Sequence, residues 1–142
     1  MNAFMKSIDM TVLGRKTYEV SLRMGAKFDS TSRSVVFSHH PRPANAPAGV
    51  EFTDEAIGVF VNRLRQSPGK DIWLMGGGDI IASFLDAQAI DEFVISVVPI
   101  FIGDGIPLIA RRHLHVPLSL QSTERFEDGL VQLRYAVQGI VC

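Results

Sequence analysis

The stretch Ile72-Trp73-Leu74-Met75-Gly76-Gly77-Gly78-Asp79-Ile80-Ile81-Ala82-Ser83-Phe84-Leu85 decides the fold. It opens with consecutive apolar residues and no polar face, which predicts a buried strand. Three glycines break the run, and Ile80, Ile81, Phe84 and Leu85 then recur at helical spacing. The stretch therefore reads strand, glycine turn, helix. Glycines at such a junction let a backbone approach a ligand closely, and the new helix aims free N–H groups and its positive dipole end at the same spot. That suits an anion, a phosphate above all. The pattern is not a Walker loop, since no Gly-Lys-Ser/Thr follows. Nor is it a G-x-G-x-x-G turn, because Gly76, Gly77 and Gly78 are contiguous. Taken alone, such a turn is often only tight backbone packing.

A second unit of the same kind precedes it. Met10-Thr11-Val12-Leu13 is a short apolar strand stopped by Gly14, and residues 15–22 read as a helix, apolar at Tyr18 and Leu22. Arg15, Lys16 and Thr17 stand at its start, where cations oppose the helix dipole unless an anion is present. The competing reading is a pair of solvated surface charges. Asn2 to Lys6 reads as the end of a further helix.

Ser34-Val35-Val36-Phe37-Ser38 is the next strand, with His39-His40-Pro41 at its carboxyl end and a Pro/Ala-rich loop over residues 41–49. Adjacent histidines point in different directions in extended chain, and no third ligand lies at metal spacing, so a polar site rim is expected and no metal. Thr53 reads as a helix N-cap, with Asp54 and Glu55 in the first turn. Ile57, Phe60, Val61 and Leu64 form the apolar stripe of that helix, which Ser67-Pro68-Gly69 ends.

After the triple glycine come a strand over residues 93–98 and an apolar piece, Ile100-Phe101-Ile102, bounded by Pro99 and Gly103-Asp104-Gly105. Leu118 and Leu120 alternate with polar neighbours, and Asp128-Gly129 signals a hairpin turn. Val131, Leu133, Tyr135 and Val137 make one face of a last strand. The order β-α-β-α-β-α followed by mostly β predicts an α/β sheet with helices on both faces and an antiparallel edge. Ligands of such sheets sit beyond the carboxyl ends of strands. Residues 14–17, 38–40 and 76–79 all lie there.

A chain of 142 residues with 46% hydrophobic and 20% charged side chains is read as one globular domain. A net charge of −1 and no Lys/Arg run longer than two argue against nucleic acid. The most apolar run, residues 93–102, is about half of what a spanning helix needs, so no membrane partner is expected. Lys6 and Asp9 interrupt the N-terminal apolar stretch, which makes a poor signal peptide. The single cysteine, Cys142, favours a reducing compartment, and a cytoplasmic location is expected.

Taken together, Leu13-Gly14-Arg15-Lys16-Thr17-Tyr18-Glu19, Val36-Phe37-Ser38, residues 72–79, Ile90-Asp91-Glu92-Phe93 and residues 98–108 resemble the dihydrofolate reductase-like superfamily. The closest match within it is the C-terminal reductase domain of the bacterial bifunctional deaminase-reductase of riboflavin biosynthesis, with its stand-alone relatives. The resemblance covers nearly the whole chain. It implies a dihydrofolate reductase-like central mixed sheet flanked by helices, with an antiparallel C-terminal hairpin, and NADPH as cofactor. It further implies that Gly14, Arg15, Lys16 and Thr17 bind the pyrophosphate and the 2′-phosphate side of the adenosine, with Ser38 and His39 beside the same 2′-phosphate. Met75, Gly76, Gly77, Gly78, Asp79 and Ile80, with a cis Gly–Gly bond, are implied to pack under the diphosphate and nicotinamide. Members of this family ordinarily begin earlier, with a strand and part of a helix that carries the substrate-binding carboxylate. By that measure the chain looks N-terminally truncated. Neither Asp9 nor Asp79 matches the carboxylate, and no catalytic acid is transferred.

Hydride transfer from NADPH to a small heterocycle, such as a ribosylamino-pyrimidine or a pterin, is the activity implied. The alternative is a non-catalytic nucleotide-binding or dimerisation module that has lost its substrate site. A homodimer is expected, burying the apolar surface near residues 99–107.

Overall fold

Val12 and Leu13, neighbours in sequence, are both fully buried, one on each face of the same strand. That double burial is what a strand in the middle of a helix-covered sheet requires. The computed structural model describes residues 2–28, 32–111 and 115–138. Cys142 lies outside them. The elements in order are α1 (Asn2–Lys6), β1 (Ile8–Gly14), α2 (Arg15–Arg23), β2 (Arg33–Phe37), β3 (Val50–Thr53), α3 (Ile57–Arg65), β4 (Asp71–Gly76), α4 (Gly78–Asp86), β5 (Glu92–Val97), β6 (Leu118–Arg125) and β7 (Val131–Val137).

Four strands form a parallel sheet in the order β3-β2-β1-β4. Its faces carry separate cores. On one, Met10, Val12 and Val35 pack with Phe60 of α3 and with Ile80 and Phe84 of α4. On the other, Leu13, Val36 and Val50 pack with Tyr18 of α2. Aromatic rings meet edge-on within each, Phe37 with Phe60 at 5.0 Å and Tyr18 with Phe52 at 5.3 Å between centroids. The α/β class with helices on both faces is therefore the observed architecture.

The antiparallel part is a sheet of its own, in the order β5-β7-β6. Asp128 and Gly129 sit in the turn between β6 and β7, Gly129 with a φ of +89°, which glycine adopts without steric cost. Among the described residues no ladder joins β4 to β5 and each lies at the edge of its sheet, with α4 between them in the chain. Among the described residues, no helix is long and apolar enough to cross a membrane.

Two expectations are corrected. Thr53 is not a helix cap: it ends β3, and its hydroxyl accepts from the Glu55 N–H at 3.2 Å in a local turn, while Ala56 precedes the helix. Asp54 and Glu55 therefore fall before the first turn, and Glu55 instead pairs with Arg63 at 2.5 Å. Residues 50–53, of which only Thr53 carries an expectation from the sequence, form a fourth parallel strand, with Val50 buried and Phe52 packed on Tyr18. The piece Ile100-Phe101-Ile102 belongs to no strand and is exposed.

Candidate functional site

The strand order contains one reversal. From β1 the chain runs outward through β2 to β3, then α3 carries it back to the other side of β1 as β4. A crevice opens at the carboxyl ends where such a sheet changes direction. Here those ends are glycines, for Leu13 pairs in register with Gly76. A Cβ on Gly14 would lie 3.9 Å from both the Gly76 carbonyl oxygen and the Gly77 nitrogen. The two glycine turns thus abut.

Each turn starts a nine-residue helix, α2 at Arg15 on one face of the sheet and α4 at Gly78 on the other. Their preceding residues, Gly14 and Gly77, offer no side chain to cap the first N–H groups. The α3 helix also lacks a side-chain cap, but it starts after β3, away from the reversal. Two helix starts without side-chain caps at one crevice have the chemistry that suits an anion.

The Gly76–Gly77 bond is cis, and Gly76 has a φ of +131°, a region that excludes most side chains. A Cβ on Gly77 would sit 3.2 Å from the Thr17 hydroxyl oxygen, so the first turn of α2 leans directly over the second glycine turn. A Cβ on Gly78 would meet the carbonyl oxygens of Pro107 and Leu108 at 3.1 and 3.3 Å. The Ala110 N–H donates to the Gly78 carbonyl at 3.1 Å. Residues 107–110 thereby form a wall of the site that sequence patterning did not indicate, because nothing in an irregular apolar segment marks what its backbone will touch.

Arg15 reaches sideways along the carboxyl edge. Its guanidinium donates to Ser38 Oγ at 3.1 Å, to the Pro41 carbonyl at 3.4 Å and to Glu19 Oε1 at 2.9 Å. Glu19 was missed as a partner, although its i, i+4 spacing from Arg15 was the available signal. Ser38 in turn accepts from the His40 N–H at 3.1 Å, fixing the backbone just after β2. Lys16 and His39 are exposed at the rim, and Lys16 has no hydrogen-bond or ion-pair partner among the described residues. Asp79 is exposed in the first turn of α4.

Gly14, Arg15, Thr17, Ser38, Gly76, Gly77 and Gly78 are thus brought to one edge. Met75 and Ile80 turn into the two cores, Met75 beside Leu13 and Tyr18, Ile80 beside Val12 and Phe84. Among the described residues, no group of three or more His, Cys, Asp or Glu side chains is placed to hold a metal ion. A separate cavity of about 360 Å³ lies between α4 and the antiparallel sheet, lined by Leu85, Phe93, Ile109, Ala110, Val116 and Leu118 among others.

A helix-flanked parallel sheet followed by an antiparallel one, with two glycine turns abutting at the strand-order reversal, has the dihydrofolate reductase-like architecture. The RibD C-terminal domain profile matches residues 1–132, and the chain belongs to that family, one of riboflavin-pathway reductases. The Bacillus subtilis (strain 168) protein YwjB is 35% identical over 133 residues, which cover 93% of this chain and 75% of YwjB. YyaP of the same strain is 30% identical over 148 residues, covering 96% of this chain and 78% of YyaP. Among solved structures, a Shewanella sp. PV-4 protein described as a riboflavin biosynthesis protein superposes with a TM-score of 0.84 at 25% identity. That superposition covers 98% of this chain and 79% of the other. Acinetobacter baumannii RibD shares the fold, with a TM-score of 0.69 at 13% identity over 92% of this chain and 47% of its own.

Proposed function

We propose that this chain is an NADPH-dependent reductase that delivers hydride to a small heterocycle of the ribosylamino-pyrimidine or pterin type. The observation that carries the reading is the meeting of two uncapped helix starts at Gly14 and Gly77, with the Arg15–Ser38 pair beside them. A diphosphate suits backbone donors at two helix starts, and the glycines let the two turns and residues 107–110 pack closely around that spot. Arg15 supplies planar multi-donor contact to a 2′-phosphate, with Ser38, Lys16 and His39 around it. When bound, the nicotinamide supplies the hydride, and the protein's part is to bind, orient and exclude water. Thr17 lies against Gly77 where the two turns meet, and the backbone of residues 107–110 lies against Gly78. A reducing, cytoplasmic setting is in keeping with this chemistry.

A second reading, nucleotide binding without turnover, is favoured by one observation: no carboxylate among the described residues is buried. Acids poised for proton transfer near neutral pH usually owe that to burial. Incubating the protein with NADPH and a panel of pterins and ribosylamino-pyrimidines, while following nicotinamide absorbance, decides between them. Oxidation that depends on both protein and heterocycle supports the reductase. Tight NADPH binding with no turnover on any member supports the binding module.

A further inference from the structure

A guanidinium carries five N–H donors, and Arg15 has three of them engaged within the chain. Its Nε donates to Glu19 at 2.9 Å, and its Nη1 donates to Ser38 Oγ at 3.1 Å and to the Pro41 carbonyl at 3.4 Å. Nη2 has no hydrogen-bond partner among the described residues. The side chain keeps 27% of its surface in solvent, so a ligand can reach it. A planar fork held through two of its nitrogens is not free to rotate, and the donors on the third take one direction. Ser38 is saturated by the same arrangement. Its hydroxyl accepts from Arg15 and from the His40 N–H, each at 3.1 Å, and donates to the His40 carbonyl at 3.3 Å. One proton and two lone pairs are all that a hydroxyl offers, so none is left for a phosphate.

The Pro41 carbonyl is held in turn by its neighbour. The loop of residues 41–49 has three prolines, which bring carbonyls without N–H groups, and Arg42 is its only charged residue. The Arg42 guanidinium donates to the Val50 carbonyl, and to those of Ala46 and Pro47 at 2.9 and 2.8 Å. It also lies 5.9 Å from the centre of the Phe52 ring. These bonds fold the loop back on the start of β3. At the other end the Ser38 N–H donates to the Thr53 carbonyl at 2.9 Å. Residues 39–41 are all that lies between the two anchorages, which leaves the Pro41 carbonyl little freedom. We propose that Arg42 and Ser38 are positioning residues: neither touches the cofactor, and together they aim Nη2 of Arg15 at the 2′-phosphate, so that the preference for NADPH is set by a latched loop. This rests on the cofactor reading above.

The test is a pair of double-mutant cycles on the full chain, Arg42→Met with Arg15→Ala and Ser38→Ala with Arg15→Ala. NADPH and NADH are titrated against Trp73 emission. A further readout needs no cofactor: the line shape of the Arg15 Nε–H signal in NMR reports rotation of the guanidinium. Arg42→Met is expected to bind NADPH at least about 5-fold more weakly, to keep NADH within about 2-fold, and to show faster Arg15 rotation. In the Arg15→Ala background, adding Arg42→Met or Ser38→Ala is expected to change NADPH affinity by less than about 2-fold. A loss that persists in that background means that the second residue meets the phosphate itself, and overturns its positioning role. Unchanged NADPH affinity in Arg42→Met overturns the latch. Should that variant not fold, Arg42→Lys, which keeps the charge without the planar fork, carries the same comparison. A wild type that binds NADPH and NADH alike, with Arg15 rotating faster in Arg42→Met, upholds the positioning and overturns the 2′-phosphate reading instead.

Discussion

Arg15, the first residue of α2, and Ser38, just beyond β2, are 23 positions apart in the chain and joined by a 3.1 Å hydrogen bond from guanidinium to hydroxyl. The bond ties the ends of two neighbouring strands into one polar edge. It also leaves a cation in the first turn of α2, an arrangement unfavourable by itself and favourable once an anion arrives.

Arg15→Ala is therefore expected to weaken NADPH binding by roughly 10- to 100-fold while leaving NADH nearly unchanged. That corresponds to a charge-assisted hydrogen bond of about 1.5–3 kcal/mol. Ser38→Ala should act in the same direction at about 0.5–1.5 kcal/mol. Titrating both cofactors against Trp73 emission checks the pair. Equal wild-type affinities for NADPH and NADH would remove the 2′-phosphate from Arg15.

The two adjoining glycines are expected to fail differently. Gly76→Ala puts a side chain at a φ of +131° with only Ile81 nearby, so its cost falls on stability, about 1–3 kcal/mol. Gly77→Ala has an ordinary φ but sets a methyl 3.2 Å from the Thr17 hydroxyl, so its cost falls on the crevice. Thermal melts should separate Gly76→Ala from wild type, and cofactor titration should separate Gly77→Ala. A Gly77→Ala protein that melts normally and binds NADPH in full would show that the crevice holds no diphosphate.

Phe60 is 1% exposed and meets the ring of Phe37 edge-on. Phe60→Ala removes the side chain by which α3 is anchored to the sheet and is expected to cost about 3–5 kcal/mol. Urea unfolding followed by circular dichroism measures it, and a loss below about 1 kcal/mol would mean that the cavity collapses without penalty.

Arg33 donates to both oxygens of Glu51, at 2.7 and 3.1 Å, across β2 and β3. This bidentate pair holds the Glu51 carboxyl below its usual range, against the opposing effect of partial burial. A lowered carboxylate contributes stability that is complete above the ordinary Glu range and is lost as pH falls through the lowered value. Both side chains are about half exposed, so solvent screening limits the contribution to about 0.2–1 kcal/mol. Glu51→Gln should melt lower than wild type at neutral pH, with the gap closing as pH falls below the ordinary Glu range. A gap independent of pH would assign the effect to packing.

What the sequence made legible depended on contrast. The run of residues 72–75 against three glycines marked a strand end and a helix start at once, and Gly14 did the same on a smaller scale. Both turns lie in the crevice. β3 was hidden because four residues, Val50-Glu51-Phe52-Thr53, are too few to show a period, and Thr53 followed by two acids imitates a cap. The segment around Phe101 was legible only in part. An apolar run reports that water is unwelcome without reporting which surface replaces it, so Ile100, Phe101 and Ile102 give no element from the sequence, and they stand outside both cores. The hold of residues 107–110 on Gly78 is made by backbone atoms, which no side-chain pattern encodes.

The missing ladder between β4 and β5 makes the molecule two plates on a common spar. Ile80 and Phe84 fix α4 to the parallel plate, and on Leu85's side the helix borders the cavity beneath Phe93 and Leu118 of the antiparallel one. Load passes between the plates through side chains and loops. The antiparallel plate reaches the crevice through residues 107–110, between β5 and β6, so a tilt of that plate is delivered to Gly78 as a displacement of the wall.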